Sequence, residues 1–232
     1  MRPVDIDEIR RLPLFRNCSG ETFGLLVQAG FLQRFPKGVV LIEENQPADF
    51  LHVVVEGLVQ MFATHAGRET AMGFVRPVGT FILAAVLKDQ VYLQAARTLE
   101  NSRILMIPAD SVRAAMSRDP GFMSAVVAEL ATAYRQVVKE LKNQKLRTAV
   151  ERLANWLIRA NALQGGTGMV EIGMEKRILA SWLGMAPENL SRAFASLAPY
   201  GVELDGPRVR LQAPDRLAEF ARPNPLIDDP SS

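Results

Sequence analysis

Cysteine is almost missing from this chain of 232 residues: Cys18 is the only one. A lone thiol excludes an internal disulfide, a cysteine-rich zinc site and a four-cysteine iron–sulfur cluster. Histidine is nearly as scarce, with only His52 and His65. No acid, nucleophile or metal partner accompanies them at a recognisable spacing, so no enzyme is expected and no metal site is assigned. No apolar run approaches the roughly 20 residues of a membrane span, and the opening MRPVDIDEIRRLPLF lacks the apolar stretch of a signal peptide. The expected location is the cytoplasm, with no membrane partner. Charge of one sign is also lacking: the net value is +2 with a pI near 8.8, so bulk charge alone does not point to nucleic acid. Apolar residues make up 48% and charged residues 22%, the balance of a folded globular protein of one or two domains.

The informative stretch is MEKRILASWLGMAPENLSRAFASLAPYGVELDGPRVRL, from Met174 to Leu211. Ile178, Leu179, Trp182 and Leu183 recur at helical spacing, Ala180 permits close helix approach, and Gly184 suits a left-handed helix end. Pro187 fits a first helical position, and Leu190, Ala193, Phe194 and Leu197 form the buried stripe of a second helix. This spacing predicts helix, tight turn, helix, then hairpin. Pro187, Glu188, Asn189, Ser191 and Arg192 are left outside the stripe near the second helix's N-terminus, the end that enters a major groove. There Arg offers a fork to guanine, Glu accepts from cytosine, and Ser serves a base edge or a phosphate. Lys176, Arg177, Arg192, Arg208 and Arg210 gather on or beside this unit, where they are expected to neutralise phosphates. The plain alternatives are a helical hairpin used only for packing and ordinary solvated surface charge.

With those residues in place, APENLSRAFASL resembles the recognition helix of the cyclic-AMP receptor protein/FNR family of bacterial transcription regulators. Glu188, Ser191 and Arg192 match the E-x-x-S-R core of its FNR-like branch, and residues 202–211 stand where that family has its wing. Two positions depart from the pattern. Ala186 replaces the usual Ser or Thr N-cap, and Pro187 stands where the cyclic-AMP receptor branch has a guanine-reading Arg. The resemblance therefore implies a half-site like TTGAT and not TGTGA. The lone Cys18 excludes the cluster chemistry of the branch's namesake.

Upstream, residues 5–30 read as short helices carrying Leu14, Phe15, Phe23, Leu26 and Val27, with Ser19 as an N-cap. Cys18 between them is read as an inert small residue, the alternative being a redox-sensing thiol. Residues 31–108 show short alternating runs separated by turn residues, which predicts an all-β roll with strands at 39–42, 51–55, 59–63, 70–75, 94–99 and 103–107. These resemble the family's cyclic-nucleotide-binding fold, with Asn45 taking a left-handed position. The effector cassette departs from nucleotide-binding members. After Gly79-Thr80-Phe81, Ala84 stands at the position of the ribose-binding Glu and Gln94 at that of the phosphate-binding Arg. Each lost charge-assisted hydrogen bond is worth roughly 1.5–3 kcal/mol, so cyclic nucleotide is not the expected cofactor. An apolar pocket of Phe81, Leu83, Ala84, Ala85, Gln94 and Ala95 is expected instead. The resemblance extends to the nitric-oxide-responsive regulators of denitrification, which implies haem as a candidate cofactor. His52, facing with Phe50 and Val54, is the candidate ligand; the simpler reading is a strand histidine with a satisfied hydrogen bond. His65 reads as hairpin surface, and Met61, Met72, Met106 and Tyr92 as core, the alternative being further candidate ligands.

From Asp119-Pro120 the pattern turns helical. Met123, Val127, Leu130, Tyr134, Val137, Leu141 and Gln144 follow at alternating steps of four and three, the seam of a coiled coil, while Phe122, Val126 and Ala133 are expected to cover the β-roll. A plain core helix is the alternative. A hinge is placed at 143–147, a helix at 148–163 with Val150, Leu153, Trp156, Leu157 and Ile158, a flexible loop at 164–168, a short strand at 169–172, and a disordered tail at 223–232. The sequence thus predicts an α+β chain: a β-roll sensor (1–118), a dimerisation helix (119–146), a winged helix-turn-helix (147–222) and the tail. The expected function is a homodimeric, effector-controlled regulator that reads a palindromic operator in double-stranded DNA and, by the resemblance, works with RNA polymerase. The competing readings are a small-molecule-binding module without DNA activity and a regulator that does respond to cyclic nucleotide.

Overall fold

The computed structural model describes residues 2–229. They form two compact units that divide after Tyr134, within the longest helix.

The first unit opens with α1 (Pro3–Arg10), a 3-10 turn at Pro13–Phe15 and α2 (Gly20–Ala29). Ser19 caps α2, its hydroxyl accepting from the Thr22 N–H at 3.2 Å. Eight strands follow: β1 (Phe31–Phe35), β2 (Val40–Ile42), β3 (Phe50–Glu56), β4 (Val59–His65), β5 (Arg68–Val75), β6 (Thr80–Phe81), then after α3 (Leu83–Lys88) β7 (Ala95–Thr98) and β8 (Ser102–Pro108). They pair antiparallel into two four-stranded sheets, β1-β8-β3-β6 and β2-β7-β4-β5. β1 and β6 are additions to the six strands expected from alternation. β6 is only two residues long and β1 has no buried residue, so neither carries a readable pattern. β3, by contrast, is buried from Leu51 to Val55 without alternation. It is an inner strand, and α4 (Ala109–Arg118) packs on β3 and β8, so both of its faces are covered. Asn45 takes its expected left-handed conformation at φ 67°.

α5 (Pro120–Leu146) enters the same core through Phe122 and Val126, both fully buried, and the Phe122 ring stacks on Phe15 at 6.1 Å. Asp119 caps it: one carboxylate oxygen accepts from the Phe122 N–H at 2.9 Å and the other from the Ser19 N–H at 2.8 Å. Cys18 lies against the same carboxylate, and burial pushes its thiol up to about 11, which fits the inert reading. Arg103 on β8 pins α1 to the roll, donating to Glu8 at 2.8 Å and Asp5 at 3.3 Å and pairing with Glu56. Ala133 is exposed and does not cover the roll, because the helix has already left that core.

The second unit contains the end of α5, α6 (Ala149–Leu163), β9 (Met169–Glu171), α7 (Lys176–Trp182), α8 (Pro187–Leu197), β10 (Val202–Asp205), β11 (Arg208–Leu211), α9 (Pro214–Ala221) and α10 (Pro225–Asp228). Thr148 caps α6 in a reciprocal box with Glu151. Leu153 and Leu157 of α6, Leu179 of α7, Leu197 of α8, Val209 of β11 and Leu217 of α9 close the core without solvent exposure. Two expectations change here. The loop at 164–168 is tied, with the Gly168 N–H donating to Asn161 Oδ1 at 2.9 Å and the Gly166 N–H to the Asn161 carbonyl at 2.8 Å. The tail expected to be disordered carries α10 through Asp228, with Ile227 buried; residues 230–232 of that expectation lie outside the described residues. Composition alone misjudged this segment because buried Ile227 and polar contacts with residues far away in sequence, Arg147 and Lys139, seat it.

Candidate nucleic-acid interface

The reading helix is α8, and its burial separates two faces. Leu190, Ala193, Phe194 and Leu197 are buried, whereas Pro187, Glu188, Asn189, Ser191 and Arg192 are all exposed. Pro187 occupies the first turn and Ala186 precedes it in an extended conformation without a side-chain cap. The leading N–H groups of α8 therefore have no cap of their own, a local setting that favours an anion. Glu188 and Arg192 form no ion pair among the described residues. Their charges are free to meet a base edge.

The turn in front of α8 is held tightly. α7 ends at Trp182 with Leu183 as its C-cap, and Gly184 follows at φ 65°, a conformation that L side chains seldom adopt. A Cβ there would also lie 2.5 Å from Gln144 Oε1. Gln144 is thus not a seam residue: it is half-buried, and its amide nitrogen donates to Glu140 at 2.7 Å and to the Trp182 carbonyl at 3.4 Å.

Arg152 completes this support and was not anticipated. It is 8% exposed, and its guanidinium donates to the carbonyls of Leu183 (2.7 Å), Arg147 (2.7 Å), Gln144 (3.4 Å) and Gly184 (3.4 Å). One cation thus collects carbonyls from the ends of both α5 and α7, where unpaired acceptors and the negative ends of the helix dipoles converge. Burial lowers its pKa from the usual value, with Glu140 opposing. The available signal was the place of Arg152 directly beside Leu153, on the stripe of α6 that Leu153 and Leu157 bury.

The hairpin β10–β11 stands beside this unit, and β9 pairs with β11. Its arginines are not free. Arg208 pairs with Glu171 across the β9–β11 ladder at 2.9 Å, and Arg210 lies 3.8 Å from Asp205. Both pairs are exposed and weak, so a phosphate has only a small electrostatic competitor to displace. Lys176 and Arg177 are exposed at the start of α7.

On α5 the seam is open to solvent in the single chain. Met123, Val127, Tyr134, Val137 and Leu141 are exposed, Tyr134 by 70% and Val137 by 64%. Leu130 differs, being half-buried against the β-roll core.

The cassette is filled by its own side chains. Phe81 and Leu83 belong to the buried core, Ala85 packs against it, Ala95 is buried, Gln94 is half-buried and Ala84 faces solvent. Thr80 is engaged, its hydroxyl donating to Glu129 on α5 at 2.7 Å. With alanine and glutamine at the two anchor positions, and Arg97 of β7 committed to Glu69 and Gln60, this donor set does not fit a cyclic nucleotide. His52 is 2% exposed, and among the described residues its buried Nδ1 has no hydrogen bond of ordinary geometry, although the Phe50 backbone lies close enough to act on the ring. Its ring stacks on Phe81 at 5.0 Å, so a haem would have to displace Phe81, and the closed site does not fit that group.

Burial pushes the His52 pKa down to about 4, against a smaller opposing effect of the Phe50 backbone. The neutral ring is the one the fold accepts, so its contribution is full above pH 6.5 and is lost as pH falls from there toward 4. At roughly 1.4 kcal/mol per pH unit the whole interval costs about 3 kcal/mol. Urea unfolding at pH 7 and pH 5 spans part of that interval and is expected to show a loss of about 2 kcal/mol in the native chain and a shallower one in His52→Phe. Parallel pH slopes for the two would contradict it.

Comparison with known proteins covers both units. Residues 32–119 match the Cyclic nucleotide-binding domain family, and residues 151–220 match the Crp-like helix-turn-helix domain family. The chain is 24% identical over 224 residues to a CRP-like cAMP-activated global transcriptional regulator of Mycobacterium tuberculosis, covering 94% of this chain and 100% of that one. The structure of FixK2 from Bradyrhizobium japonicum is similar with a TM-score of 0.70 at 22% identity, covering 82% of this chain and 96% of that one. DNR from Pseudomonas aeruginosa is similar with a TM-score of 0.51 at 23% identity, covering 95% and 99%. A β-roll of the cyclic-nucleotide-binding type, a long helix and a Crp-like helix-turn-helix with an exposed polar N-terminal face thus occur together, and the chain belongs to the CRP/FNR family of DNA-binding transcription regulators.

Proposed function

We propose that this chain works as a homodimer through α5, reads an FNR-like palindrome with Glu188, Ser191 and Arg192, and answers to an effector other than a cyclic nucleotide. The observation that carries the reading is the face of α8: three polar side chains of the E-x-x-S-R core, all exposed near a helix N-terminus, with no ion pair of Glu188 or Arg192 among the described residues. The exposed α5 seam supports the dimer, and two-fold related reading helices suit half-sites about one DNA turn apart. The E-x-x-S-R core supports a place in the FNR-like branch, beside the nitric-oxide-responsive denitrification regulators, although the closed cassette does not fit the haem inferred for them. An effector that favours one arrangement of the reading helices then controls access of RNA polymerase to target promoters.

Arg192 is the expected reader of the guanine in TTGAT. Arg192→Ala is expected to cost about 1–3 kcal/mol on that palindrome and to relax discrimination at one base pair. Arg208→Ala and Arg210→Ala, touching only phosphate, are expected to weaken all sequences alike. Affinities for the TTGAT palindrome, the TGTGA palindrome and a scrambled duplex are measured at one salt concentration. Equal binding of the native chain to both palindromes, or an equal Arg192→Ala loss on scrambled DNA, would overturn base reading by α8.

A further inference from the structure

α5 ends at Leu146 and α6 begins at Ala149, so the link between them is only Arg147 and Thr148. Arg147 is held from two sides. Its carbonyl accepts from Arg152 at 2.7 Å, while its guanidinium donates to both carboxylate oxygens of Asp228, at 2.9 and 2.5 Å, and to Asn143 Oδ1 at 3.1 Å. Asp228 lies on α10, beyond residue 220 where the helix-turn-helix family match ends.

That last segment is built to stay in place. The Asn224 side chain caps it by accepting from the Leu226 N–H at 2.9 Å, and the Asn224 N–H donates to Asp228 at 2.7 Å. Ile227 is buried, and Lys139, further back on α5, donates to the Asp229 carbonyl at 2.6 Å. The Arg147 and Asp228 side chains are 7% and 10% exposed. A bidentate pair this enclosed escapes solvent screening, and loss of one partner leaves the other charge uncompensated.

We propose that residues 224–229 are a clasp on the α5–α6 link, and that Asp228, acting through Arg147, is a positioning residue for DNA reading. The clasp sets the angle at which α6 leaves α5. Two reading helices meet two half-sites only within a narrow range of that angle, and fixing it beforehand removes an ordering cost from operator binding. The inference rests on the proposed dimeric reading of a palindrome.

The test uses full-length Asp228→Asn, Arg147→Gln and the double variant. Asparagine keeps an oxygen for the Asn224 N–H, but removes the charge and turns the other acceptor facing Arg147 into a donor. Hydrogen exchange of the free protein is followed at residues 143–149, and affinities are measured for a palindromic duplex and a single half-site at one salt concentration. Each single variant is expected to exchange faster at 143–149. Each is also expected to bind the palindrome at least about fivefold more weakly, the lower range of coupling between separate elements, with the half-site changed by less than about twofold. The double variant is expected to be no weaker than the worse single, because both remove the same pair. Unchanged exchange and palindrome affinity, equal losses on half-site and palindrome, or additive losses in the double variant would each overturn the clasp. If the native chain binds the palindrome no more tightly than the half-site, the dimeric reading fails instead. The exchange data then decide the clasp separately, faster exchange upholding it and unchanged exchange overturning it.

Discussion

Replacing Val137 by glutamate is expected to give monomers whose affinity for a palindromic operator falls by about 10²–10⁴-fold, the range lost when two linked sites become one. Val137 lies in the C-terminal half of a row of exposed apolar side chains, Met123, Val127, Tyr134, Val137 and Leu141, whose spacing keeps them on one side of α5. Full burial of a large apolar side chain contributes roughly 1.5–3 kcal/mol, so a seam of this size suffices to join two chains. A carboxylate within it has to be desolvated opposite its own copy, and like charges at a two-fold axis repel. Half-site binding by the monomer is expected to persist, since α8 and its support lie elsewhere. Sedimentation velocity together with binding to palindrome and half-site checks this. A Val137→Glu protein that still sediments as a dimer places the interface on another surface.

Arg152→Met is expected to destabilise the second unit by about 1.5–3 kcal/mol, the range for hydrogen bonds between a charged group and neutral partners. The substitution nearly conserves volume, so a cavity is not the main cause. The loss arises because four carbonyls, of Gln144, Arg147, Leu183 and Gly184, keep their places at the ends of α5 and α7 and lose their common donor. Arg152→Lys keeps a charge but offers no planar fork, and is expected to recover only part of the stability. Urea unfolding followed by Trp156 and Trp182 fluorescence reports on this unit, since both tryptophans of the chain lie in it. A loss below about 1 kcal/mol for Arg152→Met would show that water satisfies those carbonyls.

The order of elements was legible because each left a periodic trace. Leu190, Ala193, Phe194 and Leu197 repeat at helical spacing, and the structure buries all four while exposing Glu188, Ser191 and Arg192. Gly184, Pro187, Ser19 and Asn45 were legible for another reason: each position needs a backbone conformation or a cap that few residues supply. β1 and β6 were not, since an edge strand and a two-residue strand bury too little to set a pattern.

What the sequence by itself determined is therefore local: which residues form helices and strands, which face of α8 is polar, and which charged anchors the cassette lacks. Its pairings over long separation were decided only by the tertiary structure. Glu171 neutralises Arg208, Asp228 seizes Arg147, Arg152 reaches the turn before α8, and Phe81 closes over His52. Residue type announces that a guanidinium needs acceptors, but many acceptors lie within its reach until packing selects one set. Gln144 shows the same limit within a helix. Its spacing continued the α5 seam, yet the neighbouring α7 offered its amide a carbonyl, and a hydrogen bond in a half-buried place outweighed the repeat.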